Sequence, residues 1–142
     1  MSKKIVFAVL SMMLLLAYVA VSQTPAGPKH HVVFQLNEAQ GPAWDSVVRH
    51  VTNIREAFAK DGGVQVEVVF YSQGLNMLRK TNAEYEERLK KLADNGVTLS
   101  ACQNAMKAMK VTTEDLLPFA AQVDSGVAEL TRKQEAGWAY IH

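Results

Sequence analysis

The chain has 142 residues, 49% of them hydrophobic and 20% charged, enough apolar material for the core of one globular domain. Its 15 Lys and Arg stand against 14 Asp and Glu, so it lacks the dense positive surface needed to displace counterions from phosphates, and nucleic-acid binding is set aside. A single cysteine excludes a disulfide within the chain.

Residues 1–22 read as a secretory signal. Lys3 and Lys4 precede the uncharged apolar run Ile5 to Val21, and Ala20 and Ser22 occupy the small-residue positions of a cleavage site, which places cleavage after Ser22. An uncleaved anchor is the competing reading, since 17 apolar residues lie at the lower edge of what crosses a bilayer. Cleavage is favoured because Gln, Thr, Pro, Ala, Gly and Pro follow the run in place of a positive cluster. The expectation is a periplasmic or otherwise exported protein, near neutral and without membrane attachment once the signal is removed.

Residues 23–29, with two prolines and a glycine, form a flexible lead-in to a domain over 30–142. "HHVVFQL" is the first strand. Trp44, Val47, Val48, Val51, Ile54 and Phe58 recur every three or four residues and predict a helix from about Pro42 to Lys60, ended by the glycines of "KDGG". "VQVEVVFY" reads as a strand buried on both faces. After Gly74 comes a short helical piece, then a solvated helix over "TNAEYEERLKKLADNG". For that helix, Thr81 and Glu84 predict a capping box, Glu86 with Lys90 and Glu87 with Lys91 predict ion pairs, and Gly96 predicts the stop. "VTLSA" is the third strand and leads into a helix carrying Cys102. "TTEDLLP" is a turn or short helix, "FAAQV" a weak fourth strand, "SGVAELTRKQEAG" a helix and "WAYIH" a fifth strand. Strands alternating with helices, joined by connections too long for hairpins, define an α/β domain with a parallel sheet covered on both faces.

In open sheets of this kind ligands bind beyond the carboxyl ends of the strands. Asn37 after the first strand, Tyr71 to Gly74 after the second and Cys102 after the third are expected to cluster there. Cys102 in the first turn of its helix would meet unpaired N–H groups, an environment that favours a thiolate. Against this, free cysteine is often a small buried hydrophobe, so packing and reactivity both remain open from position alone. Other chemistries lack their residues. His30, His31, His50 and His142 do not have the spacing of a metal site, and the acids read as spread over helix surfaces, with no pair assigned to one cleft. No glycine-rich phosphate cradle and no serine elbow is present. No metal and no cofactor is expected. Met106 and Met109 read as core, and Trp138 and Tyr140 as packing residues.

"GVTLSACQNAMKAM" and "SGVAELTRKQEAGWAYIH" together resemble the DsrE/DsrF-like family, and within it the exported single-domain members, over about residues 30–142. Gly96, Val97, Cys102, Asn104 and Met106 carry the first match; Gly126, Val127, Glu129, Leu130, Gln134, Gly137, Trp138, Tyr140 and Ile141 carry the second. "VEVVFYSQGL" resembles the family's second strand and loop, where many relatives have His-Gly-x-Gly and this chain has Tyr71 and Ser72 before Gln73 and Gly74. The resemblance implies a three-layer α/β/α fold with a five-stranded, mainly parallel sheet and assembly into trimers or hexamers. It also implies that Cys102 accepts sulfane sulfur as a persulfide and exchanges it with a donor or acceptor protein. Asn104 is then a candidate donor to the sulfur, and Tyr71, Gln73 and Asn37 are candidates to line the approach. Two readings of other classes use the same residues: an oligomeric binding module in which Cys102 only packs, and a redox sensor acting through the same thiol.

Overall fold

The computed structural model describes residues 27–142, so the expected signal and the first part of the lead-in lie outside the described residues. Its elements follow the predicted order. Strand β1 (His30–Leu36) is followed by helix α1 (Pro42–Phe58), which opens with proline at a position where a missing N–H costs nothing. Gly62 and Gly63, both at positive φ, turn the chain into β2 (Val64–Phe70). A 3₁₀ segment (Ser72–Leu78) leads to α2 (Ala83–Asp94), β3 (Thr98–Cys102) and α3 (Gln103–Met109). A short 3₁₀ turn (Thr113–Asp115), β4 (Ala121–Val123), α4 (Gly126–Glu135) and β5 (Ala139–Ile141) complete the chain.

All four strand pairings are parallel, in the order β4-β3-β2-β1-β5. This order explains the layers. The steps from β1 to β4 all move one way across the sheet, so right-handed crossovers put α1, α2 and α3 on one face; the step from β4 back to β5 reverses direction and puts α4 on the other. The three-helix side buries alternate residues of the strands, Val32, Phe34, Leu36, Val66, Val68, Phe70, Leu99 and Ala101, against Trp44, Val47, Val51, Tyr85 and Leu89. The α4 side has a far smaller apolar cluster, Val33, Val69 and Leu130, with Tyr71 and Trp138 packed against it.

Three local expectations need correction. The capping box at Thr81 is absent, because Asn82 holds the cap position of α2 without a side-chain cap bond and instead donates its amide to the Asn76 carbonyl at 2.6 Å. A reciprocal box forms at Thr112 and Asp115, opening the 3₁₀ turn. Glu86 and Glu87 are not the partners of Lys90 and Lys91 among the described ion pairs: Lys90 binds Asp94 at 2.6 Å, and α2 is tied to α1 by Arg88 and Asp45 at 2.6 Å.

Candidate functional site

The carboxyl edge of the sheet brings the loops after β2, β3 and β4 together. Gly74 makes this possible. Its single N–H donates to the Asn37 and Tyr71 carbonyls at 3.2 and 3.0 Å, and a Cβ there would collide with the Leu36 carbonyl, so the 3₁₀ segment crosses the end of β1 only as glycine.

Cys102 is the last residue of β3 and the cap of α3, one position earlier than a first-turn placement. A cap residue aims its side chain at free N–H groups, and the sulfur accepts from Ala105 N at 3.4 Å. It also accepts from Gly126 N, the first residue of α4, at 3.1 Å. A Cβ on Gly126 would stand 3.0 Å from the Tyr71 Cβ and 3.3 Å from the Cys102 Cβ, so the approach of α4 to the thiol depends on the bare glycine. Asn104, the donor expected for the sulfur, gives it no hydrogen bond among the described residues; backbone N–H groups from two helices do so.

Cys102 is 5% exposed and lies in the wall of a cavity of about 480 Å³. Tyr71, Ser72, Gln73, Asn104, Ala105, Ala108, Met109, Ser125, Gly126 and Val127 form the rest of the lining among the described residues, none of them charged. Tyr71, Gln73 and Asn104 therefore meet around Cys102 as the sequence suggested. Asn37 stands at the same edge without lining the cavity: its carbonyl receives Gly74 and its N–H donates to Glu38 Oε2 at 3.1 Å. The Tyr71 hydroxyl donates to Gln35 Oε1 at 2.8 Å, and the Tyr140 hydroxyl donates to the same oxygen at 2.6 Å. Burial, with the Tyr140 phenol and the Glu38 carboxylate adding to it, pushes Tyr71 above the ordinary 10.0, so it remains a hydroxyl at neutral pH. A groove of about 460 Å³ between α1 and α2 carries Arg55, Glu56, Arg88 and Lys91, and none of its described lining residues is a cysteine.

One acid departs from the expected surface distribution. Glu67, in the middle of β2, is 3% exposed on the α4 side and is bound by Ser100 and Lys133. An acid inside the apolar run "VQVEVVF" was the available signal. Among the described residues no three His, Cys, Asp or Glu side chains are grouped as a metal site requires, and no helix is long and apolar enough to cross a membrane.

Fold and site together define an open parallel α/β domain with a lone thiol at the carboxyl edge of its sheet. The chain belongs to the DsrE/DsrF-like family, which it matches over residues 20–142 and which is related to sulfur-relay proteins in general. Among solved structures it is similar to MTH1491, a protein of unknown function from Methanobacterium thermoautotrophicum. The two are 36% identical, with 80% of this chain and 98% of that one covered and a TM-score of 0.69. It shares its fold with the ychN protein from E. coli at 13% identity, covering 79% of this chain and 97% of that one, with a TM-score of 0.61. No curated protein matches.

Proposed function

We propose that the protein is a sulfur carrier or transferase in which Cys102 holds the transferred atom. The observation that carries this reading is the placement of the only thiol in the wall of an uncharged cavity, with two backbone N–H groups directed at its sulfur. A thiolate is the attacking species in such chemistry, and hydrogen bonds to an ionised acceptor are the strong ones. The Cys102 thiolate attacks the outer sulfur of a persulfide donor R–S–SH; the bond between the two donor sulfurs breaks, R–S⁻ departs, and Cys102–S–SH remains. An acceptor thiolate then takes the outer sulfur in the same way and returns Cys102 to its starting form. No net oxidant or reductant is consumed. The reading includes export, motivated by Lys3, Lys4 and the apolar run after them, and assembly into trimers or hexamers, for which exposed Tyr140 on the α4 side offers apolar surface.

The test is the mass of the intact protein after exposure to polysulfide. The expected result is the gain of one sulfur atom, absent in Cys102→Ser. No gain, or an equal gain in the variant, overturns the reading in favour of a binding module.

A further inference from the structure

Among the described residues helix α4 is the only helix on its side of the sheet, and its apolar footing is slight, resting on Leu130 against Val33 and Val69. Yet its first N–H must arrive within hydrogen-bond distance of one sulfur. Gly126, Leu130 and Lys133 are four and then three residues apart, which puts them on one stripe of the helix. The stripe runs down the sheet: Gly126 meets Cys102, Leu130 meets Val69, and Lys133 meets Glu67. The last contact is a directional one. Lys133 Nζ lies 2.7 Å from Glu67 Oε2 and 3.6 Å from Glu129 Oε1, with the Trp138 ring centroid 4.1 Å away. Glu67 Oε1 accepts from the Ser100 hydroxyl at 2.6 Å, so both carboxylate oxygens are engaged and β2, β3 and α4 are joined through one buried side chain.

Apolar packing tolerates sliding along an axis, whereas a buried carboxylate held from two sides has one satisfactory arrangement. We propose that Glu67, Ser100 and Lys133 are positioning residues that fix the register of α4 on the sheet and so place the Gly126 N–H on the Cys102 sulfur. Their use in sulfur transfer rests on the function proposed above; the placement itself does not.

The experiment compares Glu67→Leu with Glu67→Gln in the intact protein. Glutamine can still accept from Lys133 but carries no charge, while leucine fills the space and cannot bind the lysine. Two measurements are made: hydrogen exchange of the Gly126 amide, and the pH profile of Cys102 alkylation by iodoacetamide. In Glu67→Leu the Gly126 amide should exchange faster. The alkylation profile should move to higher pH by about one unit, the tenfold that a weakened hydrogen bond to an ionised acceptor makes. Glu67→Gln should stay close to the unaltered protein in both. A direct field effect predicts otherwise, since removing a negative charge favours the thiolate and would move both variants to lower pH. Unchanged Gly126 exchange in a folded Glu67→Leu, or equal behaviour of the two variants, overturns the proposal. If Glu67→Leu does not fold, Lys133→Met, which keeps the stem over Trp138 and removes the cation, is read by Gly126 exchange alone: it should be faster, and unchanged exchange overturns the proposal. The amide measurement needs no sulfur donor, so a protein that gains no sulfur but shows these shifts refutes the sulfur-carrier reading alone.

Discussion

On one side of the sheet, Val32, Phe34, Leu36, Val66, Val68, Phe70, Leu99 and Ala101 meet the helical layer; on the other, Gln35, Glu67, Tyr71, Ser100 and Cys102 alternate with the valines under α4. The same strands supply both sets, one residue apart. The thick side is close-packed and apolar, and its contribution grows with the area removed from water. The thin side gains less from burial, and its polar groups hold position through named partners: Gln35 between two tyrosines, Glu67 between Ser100 and Lys133, and Cys102 between two N–H groups. Stability and chemistry are thereby assigned to opposite faces of one layer.

The largest expected effect tests that division directly. Leu99 is 1% exposed at the centre of the thick side, so Leu99→Ala should cost about 3–4 kcal/mol, near the middle of the range for a buried leucine whose cavity cannot collapse. Leu130, 6% exposed on α4 and packed in the much smaller cluster with Val33 and Val69, should cost about 2 kcal/mol on the same substitution. Urea midpoints of the two variants measure the difference. Equal costs would mean that the two faces share the stabilisation and that the division is only one of composition.

Legibility in the sequence divides along the same line. The thick side could be read because it repeats: the three- and four-residue spacing of α1 and the apolar runs of β1 and β2 are local signals, and the observed elements begin and end within two residues of those expected. The thin side depends on residues far apart in the chain. Gly126 looked like an ordinary helix start, and only the fold reveals that its N–H reaches back to Cys102. Glu67 lies among valines in a run that reads as a buried strand, but its partner Lys133 is at the other end of the domain, so the pairing itself is invisible along the chain. Asn104 was a reasonable donor by proximity, but at the start of a helix the backbone offers N–H groups already aimed at the cap side chain. Thr81 failed for a related reason: pattern alone did not distinguish it from Asn82 as the residue before α2.

A smaller effect would sharpen the chemical half of the comparison. Since none of the described residues lining the Cys102 cavity is charged, a dianionic donor such as thiosulfate meets no counter-charge from them, while an uncharged organic polysulfide loses little hydration. Val127 is 59% exposed at the cavity wall, so Val127→Lys should leave stability within about 0.5 kcal/mol. The added cation should raise the rate of sulfur loading from thiosulfate about fivefold at low ionic strength, with the gain shrinking as salt is added. Loading from the uncharged donor should not change. A parallel rise for both donors would show that the lysine acts through the protein's shape and not through charge, and that the uncharged lining does not select the donor.

The smallest effect concerns Ser72, which follows Tyr71 into the 3₁₀ segment. Its φ is 47°, in the left-handed region that a side chain makes unfavourable by roughly 1–2 kcal/mol. Ser72 is exposed and lines the cavity, so replacing it removes no core contact. Glycine relieves the backbone, but it also widens the unfolded ensemble by about 0.5–1 kcal/mol, which opposes the gain. The sum is a stabilisation of roughly 0.5 kcal/mol for Ser72→Gly, read as a small upward shift of the urea midpoint at unchanged slope. Sulfur loading of Cys102 should be unaffected if Ser72 only shapes the loop. A loss of stability beyond about 0.5 kcal/mol would mean that the hydroxyl makes a compensating bond that favours serine here. Slower loading at full stability would instead place that hydroxyl in contact with the donor, extending the thin side's polar positioning to the cavity mouth.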